Sequence, residues 1–176
     1  MQDVAAHLVV PLEVGLPKFI LAILASRGSF DRANDRLARK QAQRPFDEIV
    51  AILRQKADKR FTPPGEGPEA PLTDLLVHGL DIRVPLQLTR TIPDDRVQKS
   101  LTWLTRGGLV PKGTLDGLRF EATDVDWTRG DGPVVCGDAE TLLLVMSGRM
   151  IRLEQIAGDG AATLRGRLST LTPFTA

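Results

Sequence analysis

Residues 117–137 read GLRFEATDVDWTRGDGPVVCG, and this stretch sets the expected fold class of the chain. Polar and apolar residues alternate on either side of the turn at residues 130–132, which is typical of a hairpin or of two short strands. The preceding sequence instead spaces its apolar residues three and four apart, as amphipathic helices do. The pattern therefore predicts an α+β protein in which a helical region precedes a small mixed region.

The helical region is expected to contain five segments. Apolar spacing, capping residues and prolines place them at residues 2–25 (bent or broken near its prolines), 29–41, 44–60, 73–84 and 93–108. After the strands, Asp138 is predicted to cap a helix over residues 138–149, and two short elements follow within 151–171. We place the boundary after residue 112, which gives a helical domain of residues 1–112 and a small α+β domain of residues 113–176.

Charge and composition argue against several classes of function. The 23 basic residues nearly balance the 22 acidic ones, and the chain has few aromatic residues, so neither a basic nucleic-acid face nor a base-stacking surface is expected. Residues 8–24 are apolar, but prolines and charges interrupt them well short of the roughly 20 residues that a membrane span needs. The single cysteine, Cys136, suits a reducing compartment. We expect a cytoplasmic protein that binds neither nucleic acid nor membrane.

The only two histidines of the chain mark a candidate metal site. In PLTDLLVHGLDIRVPL (residues 71–86), Asp74 and Asp81 share one helix face with His78. If this helix packs against the helix that carries His7, the two imidazoles and Asp74 make a ligand set common for catalytic zinc, and one that other divalent metals also accept. The alternative is a hydrogen-bonded structural histidine, with Asp81 pairing with Arg83 or capping a turn.

Four stretches, in this order, resemble the actinobacterial family of mycothiol-dependent maleylpyruvate isomerases. They are QDVAAHL (2–8), the stretch 71–86 quoted above, LRFEATDVDWTRGDGPVVCGDAETLLLVMSGR (118–149) and AGDGAATLRGRL (157–168). Members of that family are similar to DinB-type metal-binding helical bundles. The resemblance implies a DinB-like N-terminal four-helix bundle that binds a divalent metal, followed by a small C-terminal domain similar to the sterol-carrier fold.

The resemblance also implies the ligands. The family pattern has a histidine on the second bundle helix and then an acid-x-x-x-His pair, which correspond here to His7 and to Asp74 with His78. The family has Glu where this chain has Asp74, so direct coordination and a water bridge both stay open. Met1 stands where family members have already completed a first bundle helix. We therefore expect that this helix is missing, and that either a longer chain or a neighbouring copy in a homo-oligomer completes the bundle.

The chemistry that the resemblance implies needs two cofactors, a divalent metal (zinc is the expected one) and mycothiol or a similar thiol. The metal would hold the thiol as a thiolate, which adds to an activated double bond or displaces a leaving group. Arg83 and Arg149 are the candidates to bind a substrate carboxylate. For Arg83 the alternative is a structural ion pair with Asp81 or a solvated side chain. Asp81 is also expected to orient the His78 ring.

Three functions remain open at this point. The first is a metal- and thiol-dependent isomerase or S-transferase that acts on small electrophilic substrates. The second is a metal-binding or regulatory module without turnover, and the third is a carrier of small molecules or lipids. His7 and His78 favour the first two over the third.

Overall fold

The computed structural model describes residues 1–60, 62–63, 65–106 and 109–171. Over these residues the chain is α+β, with eight α-helices and one three-stranded sheet, as the sequence pattern predicts. The chain divides into two compact units, one up to Thr62 and the other from Pro63 onward. We describe each unit by itself.

The first unit is helical. Its helices are α1 (Gln2–Glu13), α2 (Leu16–Ala25), α3 (Phe30–Gln41) and α4 (Phe46–Gln55). The predicted segment 2–25 is broken between α1 and α2, which meet at an angle of 120°. Pro17 lies in the first turn of α2, where its fixed φ suits a helix start and its missing N–H costs nothing. The predicted break near the prolines is thus confirmed, although Pro11 remains inside α1.

Helix α1 forms the core of the first unit with α3 and α4. The buried side chains of Ala5, Ala6 and Val9 pack with Ile49 of α4. Helix α2 contributes no buried residue, although it is strongly apolar. No single helix in the described ranges is long and apolar enough to cross a membrane. Within those ranges, the bent pair α1 and α2 meets the criterion when taken together, by length and composition alone.

The second unit wraps helices around a small sheet. Its helices are α5 (Glu69–Arg83), α6 (Asp94–Leu104), α7 (Ala139–Met146) and α8 (Ala161–Ser169), with a 3₁₀ turn at Leu153–Gln155. Every residue of α7 is buried except Glu140. The predicted cap of α7 is confirmed, because the Asp138 carboxylate accepts a hydrogen bond from the Thr141 N–H at 2.7 Å.

The sheet contains one more strand than the sequence pattern indicates. Its strands are β1 (Arg119–Ala122), β2 (Thr128–Arg129) and β3 (Val134–Gly137), in the order β2-β1-β3. Strand β1 pairs antiparallel with β2 and parallel with β3, so Phe120 lies opposite both Arg129 and Val135. Gly130 and Gly132 connect β2 to β3 with positive φ, and the carbonyls of residues 118 and 117 occupy the space that a Cβ would need.

The unit boundary differs from the predicted domain boundary. Leu80 of α5 and Leu101 of α6 belong to the same buried cluster as Phe120 of β1 and Leu142 of α7. Helices α5 and α6 therefore bury their apolar faces together with the sheet and α7. The division falls between residues 62 and 63, and the predicted boundary between 112 and 113 does not coincide with it, because apolar periodicity does not say which element a helix packs against.

Candidate metal centre

Helix α5 carries a cluster of three polar side chains, those of Asp74, His78 and Asp81. Val77 and Leu80 face the core, and the neighbouring His78 is only 5% exposed. A buried imidazole needs partners for both ring nitrogens. Asp74 and Asp81 lie one turn away on either side, at the spacing that brings helical side chains together.

The two carboxylates hold opposite edges of the His78 ring. Nδ1 lies 3.0 Å from Asp81 Oδ2, and Nε2 lies 3.5 Å from Asp74 Oδ1. If neutral His78 donates its Nδ1–H to Asp81, the lone pair of Nε2 is directed toward Asp74. That pair of electron donors suits a shared cation, whereas an imidazolium would instead donate to both acids. The contact between Asp81 and His78 that the predicted orienting role requires is present.

Arg149 fixes the outer side of this arrangement. Its Nε and Nη2 donate to the two oxygens of Asp81 at 3.3 and 3.0 Å, and its Nη1 donates to the Ser147 carbonyl at 3.0 Å. The side chains of Asp81 and Arg149 are only 15% and 10% exposed. Arg149 thus reaches α5, and the carboxylate that it binds there is that of Asp81.

Asp81 is held as a carboxylate. Burial raises its pKa, but hydrogen bonds from His78 and Arg149, together with the Arg149 charge, outweigh burial and keep the pKa below its ordinary value. In neutral His78, an ionised Asp81 favours the tautomer with the proton on Nδ1, and that tautomer has its lone pair on Nε2. In zinc proteins a carboxylate commonly orients a histidine ligand in this way.

Arg83 lies at the end of α5 with a different partner. Its Nη2 donates to Glu140 Oε1 at 2.9 Å, and the second oxygen of Glu140 lies 3.5 Å from Arg152 Nη1. The alternative that Arg83 pairs with Asp81 is therefore wrong. Glu140 escaped the sequence analysis because an acid in the first turn of a helix has a sufficient local explanation in the helix dipole.

His7 belongs to the first unit. It is half-buried on α1, and its Nδ1 lies 3.4 Å from Nδ2 of Asn34 on α3. In this arrangement the Asn34 amide donates to Nδ1, so a neutral His7 carries its proton on Nε2. Metal binding through Nε2 requires the other tautomer, with the Asn34 carbonyl turned to accept from Nδ1–H. The sequence offers no signal for Asn34, because α3 has the polar character of a solvated helix.

The predicted site residues belong to two different units of the chain. Asp74, His78, Arg83 and Arg149 all belong to the second unit, where Asp81 links His78 to Arg149. His7 belongs to the first unit.

Comparison of this chain with protein-family models, with curated proteins and with solved structures finds no match in any of the three. The chemistry proposed below therefore rests on the geometry within each unit and on the sequence motifs.

Proposed function

We propose that this protein is a divalent-metal- and thiol-dependent isomerase or S-transferase for small electrophilic substrates. The observation that carries the proposal is the fixed ring of His78. Asp81 binds its Nδ1 edge at 3.0 Å, and Nε2 is directed at a second carboxylate, that of Asp74. A structural histidine also has one partner at each nitrogen. Here, however, Asp81 is ionised and is itself held by Arg149, and this arrangement prepares the His78 ring to donate a lone pair.

The proposed ligands are His7, Asp74 and His78. They offer two imidazole nitrogens and one carboxylate oxygen, a donor set that suits zinc and leaves one coordination position open. The resemblance of the His7 stretch and of the Asp74–His78 pair to the isomerase family supports this choice. The Asp74 side chain is half-buried and one methylene shorter than glutamate, so either direct coordination or a bridging water fits.

The protein's own residues would prepare the site for an exogenous thiol. When bound, the metal supplies a position that holds the sulfur of mycothiol or a similar thiol as a thiolate. Asp81 sets the tautomer of His78, and Arg149 keeps Asp81 ionised and in place. Cys136 lies in β3, where its backbone pairs with Ala157, and we propose no role for its thiol at the metal. We therefore assign the nucleophile to the thiol cofactor.

Substrate binding by Arg83 or Arg149 stays a prediction, and their observed partners favour a second candidate function. Glu140 holds the guanidinium of Arg83, and Asp81 holds that of Arg149. A substrate carboxylate must compete with these acids. If a substrate carboxylate cannot displace these acids from the arginines, the protein is a metal-binding or regulatory module that has the metal ligands but lacks turnover.

A thiol-dependent assay tests the proposal. The purified protein is incubated with mycothiol and with maleylpyruvate-like or other electrophilic substrates, with and without chelator. We expect turnover that requires both metal and thiol, that His78→Ala abolishes and that Cys136→Ser retains. Turnover without metal and without thiol would contradict the mechanism. Bound metal without turnover on a broad panel of electrophiles would favour the module.

A further inference from the structure

A groove in the second unit lies between α6 and strand β2, and none of the candidate metal ligands lines it. Its volume is about 510 Å³, within the range of small-molecule sites. One face of α6 forms a wall through residues spaced three and four apart, and the wall consists of Asp95, Gln98, Lys99, Thr102, Trp103 and Arg106. The opposite wall comes from residues 126–129, and Glu69 at the start of α5 closes one side.

Both tryptophans of the chain line this groove. Trp127 is buried, and its Nε1–H donates to Thr102 Oγ1 at 2.9 Å. Trp103 is half-buried, and its Nε1–H donates to Glu66 Oε2 at 3.3 Å. Trp103 lines the groove and is only half-buried, so part of its indole is accessible there as apolar surface. A second aromatic ring packs well on such a surface.

Charges of both signs flank Trp103. Lys99 and Asp95 neutralise each other at 3.1 Å, but Glu69 and Arg106 form no ion pair within the described ranges. Arg106 follows the end of α6, where its backbone N–H donates to the Trp103 carbonyl at 3.0 Å, and the residue is exposed. Glu69 follows the segment whose Glu66 contacts the Trp103 indole.

We propose that this groove binds a small zwitterion that carries an aromatic ring. The ring packs on Trp103, an ammonium group pairs with Glu69, and a carboxylate pairs with the guanidinium of Arg106. Asp126 and Arg129 on the opposite wall repeat the same two signs, so the lining as a whole contains three acids and three bases. A ligand with only one charge satisfies half of this pattern. The site is independent of the metal chemistry proposed above.

Intrinsic fluorescence tests this proposal directly, because both fluorophores lie in the groove. The probes are phenylalanine, N-acetylphenylalanine and phenylalaninamide, which share one ring and keep both charges, only the negative one or only the positive one. Excitation at the red edge of the indole band avoids absorption by the probes. We expect a saturable change in emission with phenylalanine, and binding at least about tenfold weaker with either singly charged analogue.

Two variants assign the charges to residues. Glu69→Gln should remove the advantage of phenylalanine over the N-acetyl analogue, and Arg106→Gln should remove its advantage over the amide. Arg90→Gln, which changes an exposed arginine outside the groove, should preserve both differences. The proposal is overturned if phenylalanine leaves the emission unchanged, if a singly charged analogue binds as tightly, or if the two groove variants behave like Arg90→Gln.

Discussion

The imidazole of His78 is the most closely defined group among the candidate site residues. Two acids of the same helix face its two nitrogens, and Asp81 is in turn bonded to Arg149 through both of its oxygens. We assign the two acids different roles. Asp81 orients the ring, and Asp74 is the candidate to share a cation with it. Removing the Asp81 charge should therefore affect stability and metal affinity together.

The variant Asp81→Asn tests this role. It removes the Asp81 charge that pairs with the largely buried Arg149, so we expect a loss of about 2 to 3 kcal/mol in the free energy of unfolding and a fall of about tenfold or more in metal affinity. The matched control is Asp95→Asn, which breaks an exposed ion pair with Lys99 on α6 and should leave the free energy of unfolding nearly unchanged. Denaturant unfolding followed by tryptophan fluorescence reports on the second unit. Equal stability of the two variants would contradict the assigned role.

At the scale of elements, the sequence predicted local contacts better than it predicted long-range ones. The cap of α7 and the contact between Asp81 and His78 depend on residues three apart, and the sequence alone indicates both. The bond from Arg149 to Asp81 spans 68 residues, and that from Arg83 to Glu140 spans 57. Neither helical periodicity nor propensity encodes such pairs. The parallel pairing of β1 with β3 and the grouping of α5 and α6 with the sheet escaped prediction for the same reason.

The junction of α1 and α4 gives a prediction about pH. A hydrogen bond from Lys56, more than any other cause, lowers the pKa of Glu13 below its ordinary value of 4.5, and Arg44 adds to the effect at 3.5 Å. The folded state therefore binds fewer protons than the unfolded state in this range. The stabilisation, about 1 kcal/mol or less, is present above the ordinary pKa and is lost as the pH falls through the lowered one.

Glu13→Gln removes this titration. We expect the variant to be less stable than the wild type at neutral pH, and the difference to shrink on acidification below the ordinary pKa of glutamate. Helix content followed by circular dichroism during unfolding, at a series of pH values, measures both effects. A stability difference between the two proteins that stays constant across the series would show that Lys56 and Arg44 do not act through the Glu13 charge.

At the scale of the whole molecule, α2 is the helix that exposes the most prominent apolar surface. Leu21 and Leu24 are 64% and 68% exposed, and no residue of α2 is fully buried in the described structure. Clustered exposed apolar residues of this kind commonly mark interaction sites. This surface agrees with the expectation from the sequence that copies of the chain associate, and that expectation remains a prediction.

Light scattering over a range of protein concentrations tests it. We expect the wild-type protein to form oligomers, and the double variant Leu21→Gln, Leu24→Gln to shift toward the monomer. The single variant Leu88→Gln, which removes an exposed leucine of the second unit, serves as the control and should leave the assembly unchanged. A wild-type protein that stays monomeric at every concentration would show that α2 does not mediate self-association.

Metal content is the most direct test of the central claim that His7, Asp74 and His78 together bind a divalent cation. Elemental analysis would compare wild-type protein with His7→Ala, His78→Ala and Cys136→Ser, each purified in the same way and equilibrated with zinc before removal of the excess. We predict about one equivalent of zinc in the wild type and in Cys136→Ser, and little in either histidine variant. Unfolding curves would establish that the histidine variants remain folded. Zinc that stays bound in folded His78→Ala, or a wild type that binds none, would contradict the claim.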